Sequence, residues 1–175
     1  MKDKIHRIGI ISDTHGLIRD EIREVLKTCE LILHGGDINS HKVLNELQEI
    51  APLYAVKGNN DKEWADYLGL PVSLSLDLFG LRVFMIHDKK YLPKDLTDRN
   101  LVIYGHSHKY AEKQEDGRIW LNPGSCGPRR FGQPVTMAVA EVAEGQEQFR
   151  IEKIEVVDGT YKAENQTFRL FTTSP

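Results

Sequence analysis

The amino-acid sequence predicts a single α/β domain that opens with parallel strands and continues with antiparallel ones. In the first third of the chain, short apolar runs alternate with segments of helical periodicity, whereas later strand-like runs are joined by tight turns. A chain of 175 residues is also the size of one domain. We expect residues 1–157 to form this domain, and residues 158–175, where the pattern fades, to form a C-terminal edge strand or a tail.

The parallel part is predicted from alternating strands and helices. Apolar runs at 8–11, 31–33 and 53–56 have the length of buried strands, and apolar residues at helical spacing follow the first two at 19–27 and 41–50. Consecutive units of this kind imply parallel strands joined by right-handed crossovers.

The later strands are predicted as hairpins, together with one further buried strand at 101–104. The hairpins are 72–78 with 81–86, 111–115 with 118–121, and 135–142 with 148–156. In the second of them, Asp116-Gly117 is a strong signal for a two-residue turn.

Composition and charge exclude several classes of protein. The formal net charge of −3 gives no general electrostatic footprint for nucleic acid. No apolar run approaches the roughly 20 residues that span a bilayer, and the charged N-terminal residues do not resemble a signal peptide. Cys29 and Cys126 have no motif spacing, which argues against a disulfide framework. We therefore expect a cytoplasmic protein without a membrane partner.

Polar side chains of the kinds that bind metals follow most of the apolar runs. They are Asp13, His15, Asp37, Asn59, His87, His106 and His108. Each alone has an ordinary explanation as a turn or loop residue. Together they place seven metal-competent groups at strand ends, and in open α/β folds ligands bind at the carboxyl edge of the sheet. Asp37, after two glycines at the end of the second strand, is the residue that we expect to bridge two metal ions.

These residues carry a resemblance to a known family. The calcineurin-like metallophosphoesterases have, in the same order, the motifs Asp13-x-His15, Gly36-Asp37, Gly58-Asn59-x-Asp61, His87 and Gly105-His106-x-His108. The sequence most resembles their small YfcE-type phosphodiesterase branch, to which the loop Asn122-Pro123-Gly124-Ser125 is also similar. The resemblance implies a four-layer αββα sandwich of two mixed sheets flanked by helices, with a binuclear metal centre at one sheet edge.

By position, the resemblance implies two metal ions that share one carboxylate. One ion would be held by Asp13, His15, Asp37 and His108, and the other by Asp37, Asn59, His87 and His106. Such a mixed donor set suits manganese, our first expectation, and also iron, zinc, nickel or magnesium. The implied activity is hydrolysis of a small phosphodiester by a water or hydroxide that the two metals activate.

Asn60 and Asp61 are the candidate catalytic residues beside these ligands. Well-studied phosphatases of the resembled family have a histidine where this chain has Asn60, and an amide has no titratable proton to give a leaving group. We therefore expect a phosphodiesterase that favours good leaving groups. Asp61 is expected to orient a neighbouring group, with capping of a helix over 62–67 as the alternative. His34 is expected to be a core or supporting residue.

Other functions and partners stay open at this point. The same fold could serve as a non-catalytic protein-binding scaffold, as in the retromer subunit of this family. A nucleotide phosphatase or nuclease is the other alternative, although the charge of −3 gives no hint of the basic track that a polymer needs. Lys89 or Arg129 could hold a substrate phosphate. Trp64, Tyr67 and Leu68 could form an interface between copies of the chain.

Overall fold

The structure, a computed structural model, describes residues 3–170. Its strands are β1 (Ile5–Ile11), β2 (Leu31–His34), β3 (Leu53–Ala55), β4 (Ser73–Leu78), β5 (Leu81–Ile86), β6 (Leu101–Ile103), β7 (Ala111–Glu115), β8 (Arg118–Asn122), β9 (Thr136–Ala143), β10 (Gln148–Val157) and β11 (Thr160–Arg169). Its helices are α1 (Asp20–Leu26), α2 (His41–Ile50) and α3 (Glu63–Tyr67), and a 3-10 turn spans Lys89–Tyr91. The last part of the expected tail, 171–175, lies outside the described residues.

The strands form two mixed sheets. The first sheet has the order β11-β10-β9-β1-β2-β3, in which β1, β2 and β3 run parallel and β9 pairs antiparallel with β1. The second sheet has the order β4-β5-β6-β8-β7, in which β5, β6 and β8 run parallel and the outer strands are their hairpin partners. The predicted parallel part and the three predicted hairpins are confirmed. β11 pairs with β10 along its whole length and forms the edge of the first sheet.

The main hydrophobic core lies between the two sheets. Ile8 and Leu33 of the first sheet pack in one buried cluster with Met85 of the second. Because successive side chains of a strand face opposite sides of the sheet, Ile11 and Ile32 belong instead to a second cluster beneath α1 and α2. The sequence pattern of continuous apolar strands therefore reflects burial on both faces of the first sheet.

The outer layers of the sandwich differ. The helices α1 and α2 cover the first sheet, whereas segment 87–100 covers the second and packs Leu92 and Leu96 against Phe84 and Val102. The predicted sandwich of two mixed sheets is confirmed, with its helical cover on the first sheet. Within residues 3–170, no helix has the length and apolar content needed to cross a membrane.

Candidate metal centre

The loops that follow β1, β2 and β3 in the first sheet meet those that follow β5 and β6 in the second. Asp13 N donates a hydrogen bond to Gly36 O at 2.9 Å, and Gly105 N donates to His87 O at 2.9 Å. Between the sheets, His106 N donates to Asp13 Oδ2 at 3.2 Å. The structure thus gathers all seven predicted ligands at one end of the sandwich, in two adjoining groups.

The first group consists of Asp13, His15 and His108. Asp13 Oδ1 lies 3.2 Å from His108 Nε2 and 3.6 Å from His15 Nε2, and the two Nε2 atoms are 3.1 Å apart. One ligand atom from each of the three residues therefore falls within 4.8 Å of the other two, a spacing at which one metal ion can bind all three.

The second group consists of Asn59, His87 and His106, and it adjoins Asp37. Asn59 Oδ1 lies 3.0 Å from His87 Nε2 and 3.1 Å from His106 Nδ1. Asp37 Oδ2 is 3.3 Å from His87 Nε2 and 3.8 Å from His15 Nε2, which belongs to the first group. Asp37 is therefore the carboxylate that lies between the two groups.

These donor atoms are better suited to binding divalent cations than to forming hydrogen bonds with one another. Asp13 Oδ1 is buried and has no hydrogen-bond partner, which is costly for a carboxylate oxygen. His87 Nδ1 lies 2.7 Å from Gly35 O, so Nδ1–H donates there and Nε2 faces Asp37 and Asn59. This orientation leaves Nε2 as the nitrogen that a metal ion would bind, with the Gly35 carbonyl fixing the ring.

Both carboxylates of the site are held in the ionised form. Burial favours a higher pKa for Asp13, but contacts with His108 and His15 outweigh it and keep the pKa of Asp13 well below its usual range. Burial acts in the same way on Asp37, whose pKa is nevertheless lowered by His87 and by the Asn60 N–H. Metal binding requires deprotonated carboxylates, so this environment prepares both residues as ligands.

Most of the predicted ligands sit on backbone that non-glycine residues rarely adopt. The φ angle is positive at Asp13 (55°), His15 (43°), Asp37 (58°), His106 (73°) and His108 (60°). Left-handed conformations of this kind are costly and cluster at functional sites, where the surrounding structure enforces them.

Close packing of the loops depends on glycine at two positions. A Cβ atom on Gly58 would lie 2.1 Å from Asp37 Oδ1, and one on Gly105 would lie 2.2 Å from Ser12 Oγ. Both distances are shorter than any real contact, so only glycine allows these backbones to approach Asp37 and Ser12 so closely.

Asn60 and Asp61 contact the groups around Asp37. Asn60 donates to Asp37 twice, from N to Oδ1 at 2.8 Å and from Nδ2 to Oδ2 at 3.0 Å. Asp61 is 1% exposed and accepts from the backbone N–H groups of Ile38 (3.1 Å), Asn39 (2.8 Å) and Gly58 (3.0 Å). Its carboxylate ties the loop after β2 to the loop after β3, as expected of a residue that orients its neighbours. A catalytic role for either residue stays a prediction.

His34 is a supporting residue, as predicted. It is fully buried, its Nδ1 accepts from Gly36 N at 3.0 Å, and its Nε2 lies 3.0 Å from Thr14 Oγ1. Burial lowers the pKa of His34 to about 3, so the ring is neutral and can accept the Gly36 bond.

Asn122 and Ser125 support the site, although the sequence motif in which they occur did not indicate how. Asn122 Nδ2 donates to Gly105 O at 3.0 Å, and Ser125 Oγ donates to Asp13 O at 2.9 Å, so the Asn-Pro-Gly-Ser loop braces both sides of the site. Asn39, whose Nδ2 lies 2.9 Å from His15 Nδ1, orients that imidazole and had no local signal at all.

The two basic residues considered for phosphate binding lie on the surface. Lys89 Nζ is 5.7 Å from the centre of the Tyr104 ring, and Arg129 is exposed in the loop that leads to Phe131. The Phe131 ring, 80% exposed, lies 5.6 Å from the ring of His108. Phosphate binding by either basic residue stays a prediction.

A family comparison agrees with this geometry. Residues 7–145 match the model of the calcineurin-like phosphoesterase superfamily domain. The chain belongs to this superfamily. The match spans every residue of the candidate centre, and it confirms the family to which the sequence motifs pointed.

Relatives of this chain bear names of the same kind. A probable metallophosphoesterase of Methanothermobacter thermautotrophicus is 31% identical over 147 residues, which cover 75% of this chain and 84% of the relative. Phosphodiesterase YfcE of Escherichia coli is 29% identical over 108 residues, or 57% of this chain and 59% of that protein. Among solved structures, vacuolar protein sorting 29 of Cryptosporidium parvum has a TM-score of 0.81 at 18% identity, covering 95% of this chain and all of that one. At this identity, the last likeness shows the fold alone.

Proposed function

We propose that this chain is a metal-dependent phosphodiesterase that hydrolyses small phosphodiesters at the centre described above. The observation that carries the proposal is the convergence of the seven donor side chains in two adjoining groups, one of which contains the buried Asp13 Oδ1, an oxygen without a hydrogen-bond partner. Membership of the superfamily and the phosphodiesterase name of a relative support the same reaction class.

Two divalent metals are the proposed cofactors, with manganese as the first expectation because carboxylate, amide oxygen and imidazole are donors that it accepts. Asp13, His15 and His108 would hold one ion, Asn59, His87 and His106 the other, and Asp37 both. When bound, such a pair stabilises charge on the phosphoryl oxygens and lowers the pKa of water.

The residues of the chain have separate roles in this proposal. Asp37 is fixed by the two hydrogen bonds from Asn60, so the shared carboxylate is held in place before metals bind. Asp61 is a positioning residue that acts through the backbone of Ile38, Asn39 and Gly58. A site held in place by these hydrogen bonds would lower the cost of gathering two like-charged ions beside a substrate phosphate.

The substrate should have a good leaving group, because Asn60 commits its amide to Asp37 and has no proton to transfer. Asn60→His should then raise hydrolysis of alkyl esters, which leave poorly, by about tenfold or more relative to activated aryl esters. Asn60→Ala is the matched control, since it loses the bond to Asp37 without adding an acid. Equal alkyl-to-aryl ratios in the two variants would count against this explanation.

The direct test of the proposed function is hydrolysis of bis(p-nitrophenyl) phosphate by the metal-stripped chain with and without added manganese. We expect release of p-nitrophenolate only with the metal, and loss of most activity in Asp37→Ala. Equal rates for the wild type and this variant would contradict the two-metal proposal.

A non-catalytic scaffold is the second candidate, because the fold matches that of a vacuolar protein sorting 29 closely. Against it stand the seven donors, each with a metal-binding side chain in place. Tight manganese binding without hydrolysis of any activated diester would favour the scaffold. A cytoplasmic location and a homo-oligomer stay predictions, as does the absence of a nucleic-acid substrate.

A further inference from the structure

A small apolar cavity adjoins one side of the candidate metal centre. It has a volume of about 250 Å³, and its lining includes the apolar side chains of Val72, Ile86 and Tyr91. Val72 and Tyr91 are 59% and 67% exposed, which are high exposed fractions for large apolar or aromatic side chains. The volume lies just below the range of typical ligand pockets and has room for one ring rather than a polymer.

The cavity is continuous with the predicted metal ligands. Asn59 and His87 line it together with Gly58, so a group inside it would lie beside the second group of donors. An ester arm of a phosphate held at the centre could therefore enter the cavity without leaving the reacting position.

Lys57 and Asp88 at the rim each have a hydrogen-bond partner of their own. Lys57 Nζ contacts Asp66 Oδ1 at 2.5 Å, and Asp88 Oδ1 accepts from Lys90 N at 2.9 Å. These pairings leave apolar surface as the main feature that the cavity offers to a ligand. An uncharged, flat group is the occupant that fits such walls best.

The chemistry expected at Asn60 favours the same class of group. In hydrolysis, the attacking water gives up one proton to solvent and its oxygen bonds to phosphorus, while the bond from phosphorus to the leaving oxygen breaks and that oxygen departs as an anion with the electron pair. Since Asn60 has no proton to give, this oxygen should belong to an acidic alcohol such as a phenol or another aromatic hydroxyl compound.

We propose that this cavity, the ring subsite, binds one aromatic or heteroaromatic ester arm of the substrate, with Tyr91 and Val72 as its specificity-determining walls. The proposal rests on the proposed phosphodiesterase function and narrows its substrate class to diesters that carry a flat, ring-sized group. Lys90 Nζ lies over the Tyr91 ring, 5.5 Å from its centre, and stacking against the remaining exposed part of this ring favours a flat ring over a branched alkyl group of equal volume.

Isothermal titration of the manganese-loaded chain with phenylphosphonate and methylphosphonate tests the proposal. Neither probe can be hydrolysed, so the readout is binding and not turnover. We expect phenylphosphonate to bind about tenfold more tightly, the effect of moving one ring from water into an apolar site. Tyr91→Ala and Val72→Phe, which respectively remove one wall and fill the space, should each bring the ratio of the two dissociation constants close to one.

Tyr161→Ala is the matched control, because Tyr161 is a 44% exposed tyrosine on β11, at the edge of the other sheet. It should keep the tenfold preference. Equal binding of the two probes by the wild type would overturn the ring subsite, as would a preference that survives in both wall variants. If the manganese-loaded chain binds neither phosphonate and hydrolyses no diester, the proposed function itself is wrong. The ring subsite, which depends on that function, is then also rejected.

Discussion

Replacing Asp61 should destabilise the chain strongly, although this residue does not belong to the predicted ligand set. Its buried carboxylate accepts three backbone N–H groups, from Ile38, Asn39 and Gly58. A hydrogen bond to a charged group contributes about 1.5 kcal/mol or more, and each donor left buried and unpaired adds to the loss. Asp61→Ala should therefore lower the free energy of unfolding by about 4 kcal/mol, a large share of the total for a domain of this size.

Asp61→Asn separates the hydrogen bonds from simple burial. An asparagine keeps one acceptor oxygen but turns an N–H group toward a donor, so we expect a loss of about 2 kcal/mol, roughly half that of the alanine variant. Urea denaturation followed by linear extrapolation measures both values. Asp98→Ala, at an exposed position, should change the free energy by less than about 0.5 kcal/mol. A loss below about 1 kcal/mol for Asp61→Ala would refute the reasoning.

Two further predictions follow from the close contacts and the buried charges. Gly58→Ala, which would place a Cβ atom 2.1 Å from Asp37 Oδ1, should weaken manganese binding at least about tenfold in isothermal titration, and unchanged affinity would contradict the close-approach argument. His6 is buried, which works against its protonated form, but hydrogen bonds to Glu30 and Glu144 outweigh burial and raise its pKa. The protonated His6 ring then stabilises the folded chain fully below about pH 6.5, and this stabilisation is lost as the pH rises through the folded-state pKa of His6. His6→Gln should therefore lower the free energy of unfolding more near pH 5.5 than near pH 8.5. An equal cost in urea denaturation at both values of pH would be the contrary result.

Much of the fold was predictable because its signals are local. The apolar runs of β1, β2 and β3 end at glycine or at polar residues, and a strand end of this kind is visible without knowledge of its partners. Hairpin turns are also local, as at Asp116-Gly117, where both residues have positive φ.

The assignment of strands to sheets was not predictable. β1 pairs on one side with β2, its next strand along the chain, but on the other with β9, which begins at Thr136. Nothing near Ile8 indicates that its neighbour on that side is Ala140. Pairing across such a separation is decided by how the whole core packs.

The candidate site likewise contains residues that could be predicted from the sequence and residues that could not. The donor residues stand out as polar groups at the ends of apolar strands. Their supports do not, since Asp61 acts on backbone N–H groups from two loops and Asn39 acts on His15, 24 residues away. A carboxylate next to a turn has many uses, and only the packed structure shows which donors face it.

The central claim is that the convergent donors form a two-metal centre with Asp37 shared between the ions. The most direct measurement is the manganese content of the stripped and reloaded chain, determined by elemental analysis after removal of free metal. We predict about two ions per chain for the wild type and about one or none for Asp37→Ala. A wild-type chain that retains no metal, or an Asp37→Ala variant that still retains about two ions, would contradict the claim.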